Sequence, residues 1–172
     1  MSTLPARLLR YRCLLGLATA VFVLDQASKL WIAATLPFNT YGAPGHIEIV
    51  PGFFHLVHVG NTGAAWSVLT GRSTLLAFLG LAALTAIFCF RRQLGLGRTV
   101  VQVAFGLLCG GIAGNLLDRV VYGHVVDFLD FHFGSYIYPT FNVADSAIVG
   151  GVALYAILSF REPPAAPSGK PS

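Results

Sequence analysis

Three carboxylates lie in an apolar part of the sequence, the stretch GHVVDFLDFHFGSYIYPTFNVADS. The chain of 172 residues has only seven acidic residues, and Asp127, Asp130 and Asp145 all fall here. Asp127 follows two valines and precedes Phe128, a setting that raises the pKa of a carboxyl group by desolvation. Two carboxylates held close together can share a proton and activate a water molecule. Asp130, three residues on, is predicted to be a solvated or interfacial partner.

The elements that must position these carboxylates are membrane helices. Hydrophobic residues make up 55% of the chain and charged residues only 10%, far from the averages of soluble domains. Four stretches reach the roughly 17–25 helical residues that cross a hydrocarbon core. They run from about Cys13 to Leu36, Ser73 to Phe90, Thr99 to Leu117 and Thr140 to Phe160. We therefore expect an integral membrane, mainly α protein with one four-helix domain at 1–162 and a disordered Pro- and Ser-rich tail at 163–172.

Basic residues predict the orientation of these spans, because Lys and Arg near span ends stay on the cytoplasmic side. Before span 1, between spans 2 and 3, and after span 4 lie Arg7, Arg10, Arg12, Arg91, Arg92, Arg98, Arg161 and Lys170. Both termini are therefore predicted to be cytoplasmic, and the connections 37–72 and 118–139 to face outward. The net charge of +4 then reflects topology and anionic lipid headgroups, and we expect membrane lipids but no nucleic acid as partners.

The first outward connection, with the sequence HIEIVPGFFHLVHVGN, is typical of a β-hairpin. Two β-prone runs flank the dipeptide Pro51-Gly52, a turn signal. Phe53 and Phe54 suit the membrane interface, where aromatic rings favour the headgroup level. We therefore expect an outward-facing hairpin, or cradle, between helices 1 and 2.

Metal chemistry has little support in the sequence. No HExxH motif exists, and no His, Cys and carboxylate ligands lie at zinc spacing. The spacing of His55 and His58 on one strand is too weak to indicate a site, and it favours a surface pair on the hairpin. The sequence therefore predicts neither a metal nor a cofactor.

Four groups of polar residues lie within the spans or at their ends, where a polar side chain is costly and usually functional. The motif DQASK contributes Asp25 and Lys29, NTGAAWS contributes Asn61 and Gly63, GNLLDR contributes Asn115, Asp118 and Arg119, and FNVADS contributes Asn142, Ala144 and Asp145. In the predicted topology the last three groups converge near the outer boundary of the membrane. The DQASK group approaches the same boundary from within the membrane. This convergence predicts a site there.

These groups also admit structural interpretations. The pairs Asp25 with Lys29, and Asp118 with Arg119, could be ion pairs that only hold helix ends together. An Asn followed three residues later by an Asp, as at the start of span 4, is typical of a helix N-terminus.

Two other function classes stay open on these residues. A proton-coupled carrier could use Asp25, Asp118 and Asp145 as a relay, although carriers often show internal repeats and a midplane site, and this sequence indicates neither. A purely structural or assembly role in the membrane is the other alternative.

Span 3 carries Gly106, Gly110 and Gly114 on one helix face. Small residues at this spacing let helices approach closely in lipid. We interpret them as packing positions within the chain's own bundle in preference to a dimer interface, and we expect a monomer.

The motifs DQASK, NTGAAWS, GGIAGNLLDR, VVDF and FNVADS occur in this order, from about Asp25 to Ser146. Together they resemble the lipoprotein signal peptidases, also called signal peptidase II, of bacterial cytoplasmic membranes. The resemblance implies that Asp127, in VDF, and Asp145, in NxAD, form the catalytic pair. It implies supporting or substrate-binding roles around the pair for Asp25, Lys29, Asn61, Gly63, Asn115, Asp118, Arg119, Asn142 and Ala144. Trp66 stands where Phe is frequent, and both are aromatic.

The resemblance also implies the reaction and its location. The four-helix domain would be a membrane-embedded aspartyl endopeptidase that removes the signal peptide from a diacylglyceryl-modified prolipoprotein, cutting before the lipid-modified cysteine. It would reside in the bacterial inner membrane with its active site toward the periplasmic face. Either aspartate could carry the shared proton.

Overall fold

The computed structural model describes residues 10–41, 44–64, 66 and 68–161. Its helices are α1 (Arg12–Thr35), α2 (Ser73–Cys89), α3 (Thr99–Tyr122) and α4 (Val143–Arg161). Its strands are β1 (Ile47–Val50), β2 (Phe54–Asn61), β3 (Val125–Phe133) and β4 (Tyr136–Ile137). The prediction of a mainly α membrane protein with four helices and a hairpin between the first two is confirmed. The predicted tail at 163–172 lies outside the described residues.

Helices α1, α3 and α4 are each long and apolar enough to cross a membrane. Helix α2 has 17 residues, which span about 25 Å at 1.5 Å per residue and lie at the short end for a membrane helix. Large apolar side chains point away from the bundle, among them Phe78 at 65% exposed, Phe88 at 67% and Phe160 at 89%. Such exposure is favourable in lipid and costly in water.

The third span is longer than the sequence predicts. Helix α3 continues past Leu117 to Tyr122, so Asp118 and Arg119 lie inside its last turns instead of just beyond its end. Gly123 then adopts a left-handed conformation with φ of 74°, which costs glycine little and lets the chain turn directly into β3.

Helix α3 is the centre of the bundle and packs against the other three helices. A Cβ on Gly106 would lie 3.1 Å from a backbone oxygen of α1, and one on Gly110 would lie 2.7 Å from another. Gly114 faces the Asp25 side chain of α1. From the other side, Gly151 of α4 would bring a Cβ within 2.6 Å of a backbone oxygen of α3. The glycine stripe therefore serves packing within the chain, as the sequence predicts.

The hairpin is part of a larger sheet with the strand order β1-β2-β3-β4, in which neighbouring strands are antiparallel. The turn at Pro51 and Gly52 is confirmed, with Gly52 at φ of 68°. The sequence predicted only that the connection 118–139 faces outward, and the structure shows that it contains β3 and β4. The sequence does not reveal β3, because its main partner β2 lies far away along the chain.

Strand β2 lies between β1 and β3, and its side chains are more buried than they would be in an isolated hairpin. His55 and His58 are each only 7% exposed, so the prediction of a surface pair is wrong. Asp130, expected to be solvated, lies opposite His55 and is 5% exposed. Phe54 stacks on Phe131 at a centroid distance of 4.5 Å.

A small apolar core joins the sheet to the bundle. Ile32 and Leu36 at the end of α1 pack with Val126 and Phe128 of β3. Both strand residues flank Asp127, so this contact holds that carboxylate at the junction between sheet and helices.

The glycine packing predicts a sharp contrast between two Gly→Ala changes. Gly110→Ala should lower the thermal unfolding midpoint in detergent, because its Cβ would lie 2.7 Å from both Ala18 O and Val21 Cβ. Overpacking of this kind costs roughly 1–3 kcal/mol. The control Gly150→Ala meets nothing closer than Leu107 at 4.0 Å, so it should leave the midpoint unchanged or raise it. Equal midpoints for the two variants would contradict the close packing of α1 and α3.

Candidate active site

The structure brings Asp127 of β3 and Asp145 of α4 together around two asparagines. Asn142 donates from Nδ2 to Asp127 Oδ1 at 2.7 Å, and its Oδ1 accepts from the Asp145 backbone N at 2.9 Å. Asn115 donates from Nδ2 to Asp145 Oδ1 at 2.7 Å. Asn142 therefore caps α4 and holds the neighbouring carboxylate at once, so capping and a role at the site are compatible.

The segment after β2 closes the site from the sheet side. Asn61 donates from Nδ2 to Asp127 Oδ2 at 2.9 Å, and its Oδ1 accepts from Gly63 N at 2.8 Å. Arg119 donates from Nη2 to Gly63 O at 3.0 Å. Both carboxylate oxygens of Asp127 thus accept a hydrogen bond from an amide. One of these amides belongs to Asn61, at the end of β2, and Gly63 just after it is hydrogen-bonded to α3.

Asp127 is 1% exposed, and this burial has the largest effect on the pKa of its carboxyl group. Desolvation, followed by the nearby negative charge of Asp145, raises its pKa from an ordinary value of about 4 to about 7. The hydrogen bonds from Asn61 and Asn142 and the charge of Lys29 oppose this rise in pKa. Asp127 can therefore gain and lose a proton near neutral pH.

A buried ion network lies directly behind the carboxylate pair. Lys29 Nζ lies 2.8 Å from Asp25 Oδ2 and 2.8 Å from Asp118 Oδ2, and it donates to Asn115 Oδ1 at 2.9 Å. Asp118 therefore pairs with Lys29 of α1, and the interpretation that pairs it with Arg119 is wrong. Neighbours on a helix point in different directions, so adjacent Asp and Arg side chains do not face each other.

Both carboxylates of the network also hold backbone groups. Asp25 Oδ1 accepts from Ala144 N at 2.9 Å, at the start of α4. Asp118 Oδ2 accepts from Val126 N at 3.2 Å, at the start of β3. Ala144 is fully buried, and its carbonyl packs against Gly111 of α3. The network thus fixes the two segments that carry the carboxylate pair.

The sequence reasoning missed several residues of this region. Gln26, the second residue of DQASK, donates from Nε2 to Asp118 Oδ1 at 3.0 Å and to Asp25 Oδ2 at 3.1 Å. Its place inside the motif was the signal that could have identified it. Tyr41 is another missed residue, since burial, followed by the negative charge of Asp127, raises the pKa of its hydroxyl.

A groove of about 520 Å³ adjoins the pair. Asn61 connects the groove to the pair, because it lines the groove and also donates a hydrogen bond to Asp127. Aromatic side chains form its walls, with Trp66 and Tyr138 in an edge contact at a centroid distance of 6.2 Å. The other lining residues include Tyr41, Thr62, Thr140 and Ile137. The lining is mixed, because Asn, Thr and Asp130 side chains lie beside the aromatic ones, and an extended peptide chain fits a groove of this kind.

Metal-ligating side chains meet elsewhere in the described part of the chain. Two groups share His55: one adds His46 and Glu48, the other Asp130 and His132. Each group joins residues from separate segments of the chain, so no single spacing along the sequence reveals it. Asp127 and Asp145 belong to neither group, and the prediction that their chemistry needs no metal or cofactor stays a prediction.

Comparisons with known proteins agree with this geometry. A family model described as signal peptidase (SPase) II matches residues 17–161. The chain is 40% identical to a lipoprotein signal peptidase of Nitratidesulfovibrio vulgaris, over 90% of this chain and 93% of that one. It is 44% identical to one of Aeromonas hydrophila, over 86% and 87%.

Two solved bacterial membrane enzymes also share the fold, each at 34% identity. One has a TM-score of 0.75 over 84% of this chain and 85% of its own. The other has a TM-score of 0.73 over 86% and 92%. Since the family model and the relatives each cover most of the chain, and the ordered motifs meet at one carboxylate pair, this protein belongs to the signal peptidase II family.

Proposed function

We propose that this chain removes signal peptides from diacylglyceryl-modified prolipoproteins, with Asp127 and Asp145 as its catalytic pair. The family supports the reaction class, since the relatives are lipoprotein signal peptidases. The single observation that carries the residue assignment is the bridge through Asn142, which binds one carboxylate and caps the helix that begins beside the other. Two carboxylates held in this way resist ionising together, because the charge of Asp145 raises the pKa of Asp127.

The two aspartates have different surroundings, which support different roles. Asp145 lies in the first turn of α4, where the helix dipole favours an anion, and it accepts a hydrogen bond from Asn115 at 2.7 Å. Asp127 is deeply buried, and burial raises its pKa to about 7. We assign the resting proton to Asp127 and the resting charge to Asp145.

Peptide hydrolysis then follows from this proton arrangement. Asp145 takes a proton from a water molecule while the water oxygen attacks the scissile carbonyl carbon, and Asp127 gives its proton to the carbonyl oxygen. As the tetrahedral intermediate collapses, Asp145 protonates the leaving nitrogen and Asp127 recovers its proton from the hydroxyl. The C–N bond breaks, and the pair returns to its starting state.

The position of the pair supports a substrate at the membrane boundary. The end of α1, the end of α3 and the start of α4 meet the sheet at one end of the bundle. A lipid-modified cysteine sits at this level, with its signal helix beside the bundle and the polypeptide in the aromatic groove. A carrier would place its polar residues near the bilayer midplane instead, and Lys29 already compensates two of the carboxylates that a proton relay would need.

We further propose that the protein lies in the bacterial inner membrane as a monomer. Both termini would be cytoplasmic and the sheet would face the periplasm. The basic connection between α2 and α3 supports this orientation, since it carries Arg91, Arg92 and Arg98 and positive charge is retained inside. A monomer is supported because the glycine stripe, which could otherwise form a dimer interface, packs within the chain's own bundle.

Removing either catalytic carboxylate should stop cleavage without unfolding the protein. Asp127→Asn and Asp145→Asn should each lower the turnover of a lipidated precursor by at least about 100-fold, because each removes one partner in proton transfer. Asn matches Asp in size, so thermal midpoints should change little. Asp130→Asn is the matched control on the same strand and should keep substantial activity. Full activity in either pair variant would contradict the assignment.

Asn61→Ala should shift the pH dependence of cleavage. The Asn61 hydrogen bond lowers the pKa of Asp127, so its loss should raise that pKa further. The active pair holds one proton, and activity should fall as pH rises through the upper apparent pKa. The alkaline limb of kcat/KM should therefore move up by roughly half to one pH unit. A limb that stays in place or moves to lower pH would argue against Asp127 as the proton carrier.

The proposed orientation can be tested with single cysteines, after Cys13, Cys89 and Cys109 are replaced by Ala. Ser135→Cys in the β3–β4 turn and Gln93→Cys between α2 and α3 are both at exposed positions. In intact spheroplasts a membrane-impermeant maleimide should label the first and spare the second until the membrane is opened. The opposite pattern would show that the sheet faces the cytoplasm.

A further inference from the structure

We infer that His55, Asp130 and His132 form a binding site for a divalent metal ion of the zinc class, separate from the catalytic pair. One carboxylate oxygen and two imidazole nitrogens, one from each residue, all lie within 4.8 Å of one another. Strand β2 supplies the first residue and β3 the other two. The site would therefore join these two strands through one ion.

The distances within this group, which we call the sheet triad, suit a tetrahedral ion. His132 Nε2 lies 2.8 Å from Asp130 Oδ2, and His55 Nδ1 lies 3.9 Å from the same oxygen. Ligands about 2.0–2.2 Å from zinc lie roughly 3.3 Å apart at tetrahedral angles. The two measured separations fall on either side of that distance, so small side-chain rotations suffice to bind an ion.

A buried nitrogen without a partner is the second, independent observation. His55 is 7% exposed, yet its Nδ1 has no hydrogen-bond partner among the described residues. An unsatisfied buried polar atom costs about 1–3 kcal/mol, and such an atom in a native fold calls for an explanation. Because this nitrogen faces Asp130 and His132, a bound ion would satisfy it.

Glu48 supplies the group that would orient His55 for metal binding. Its Oε1 lies 3.6 Å from His55 Nε2, and the two residues are opposite each other on β1 and β2. A carboxylate on this side of the ring favours the tautomer with its proton on Nε2, which leaves the Nδ1 lone pair free to bind a metal.

The ligand chemistry favours a transition metal over calcium or magnesium. Two imidazoles and one carboxylate suit Zn²⁺, whereas Ca²⁺ and Mg²⁺ prefer oxygen ligands. Three protein ligands leave a fourth position for water. The site would clamp β2 to β3, and Asp127, which accepts its hydrogen bonds from Asn61 and Asn142, would not take part.

Zinc titration of the full-length protein tests this inference. The protein is purified in detergent without a polyhistidine tag, stripped with a chelator, and titrated with ZnCl₂ by calorimetry. Wild type should bind one equivalent, and zinc should raise its thermal midpoint. His132→Gln and Asp130→Asn should each weaken binding at least roughly tenfold and abolish the zinc-dependent rise. Cobalt should give a tetrahedral absorption spectrum in wild type but not in these two variants.

Two histidine variants serve as matched controls. His46→Gln changes a residue that contacts His55 in the other metal-ligating group, and His124→Gln changes one outside both groups; each should bind zinc like wild type. Thermal midpoints without zinc should be close to wild type for His132→Gln, since its side chain is 29% exposed. Absence of saturable wild-type binding would overturn the inference. So would unchanged affinity in His132→Gln, or affinity lost in His46→Gln and kept in His132→Gln.

Discussion

The ammonium group of Lys29 is the interaction on which the rest of the structure depends. A charge buried at a membrane helix is costly unless partners surround it, and here two carboxylates and an amide oxygen do so at 2.8–2.9 Å. Those partners lie on α1 and α3. Each carboxylate extends the network to a backbone N–H at the start of another element, α4 or β3. One buried cation thereby fixes the relative positions of three helices and a strand.

This arrangement extends to the carboxylate pair Asp127 and Asp145 through Asn115. Its Oδ1 accepts from Lys29, so the amide must present its NH₂ group to Asp145. Asn142 and Asn61 orient Asp127 in the same manner. Amide side chains carry no charge of their own, so they position two carboxylates without adding a cation that would hold both of them ionised. Burial can then keep one proton on the pair near neutral pH.

Close packing of the helices and pairing of the strands in the sheet make this network possible. Glycines on α3 let α1 and α4 approach near enough for their polar groups to meet. The paired strands of the sheet satisfy many of their own backbone hydrogen bonds, which a bare loop in hydrocarbon could not do. Strand β3 belongs to both parts, because it pairs with β2 and packs against the end of α1. Asp127, which lies on that strand, is therefore held where the helix bundle meets the sheet.

The sequence by itself determined the apolar helices, the hairpin turn and the polar residues that had to gather at one end of the bundle. Hydrophobic length, a Pro-Gly turn and ordered motifs are local features that can be read along the chain. Only the tertiary structure decided which groups pair. Asp118 binds Lys29, which is distant along the chain, because adjacent side chains on a helix diverge. The sheet follows the same rule. His55 is buried and meets Asp130 and His132 only because β2 and β3 pair across the fold. Such strand pairing is set by contacts between segments that are distant along the chain.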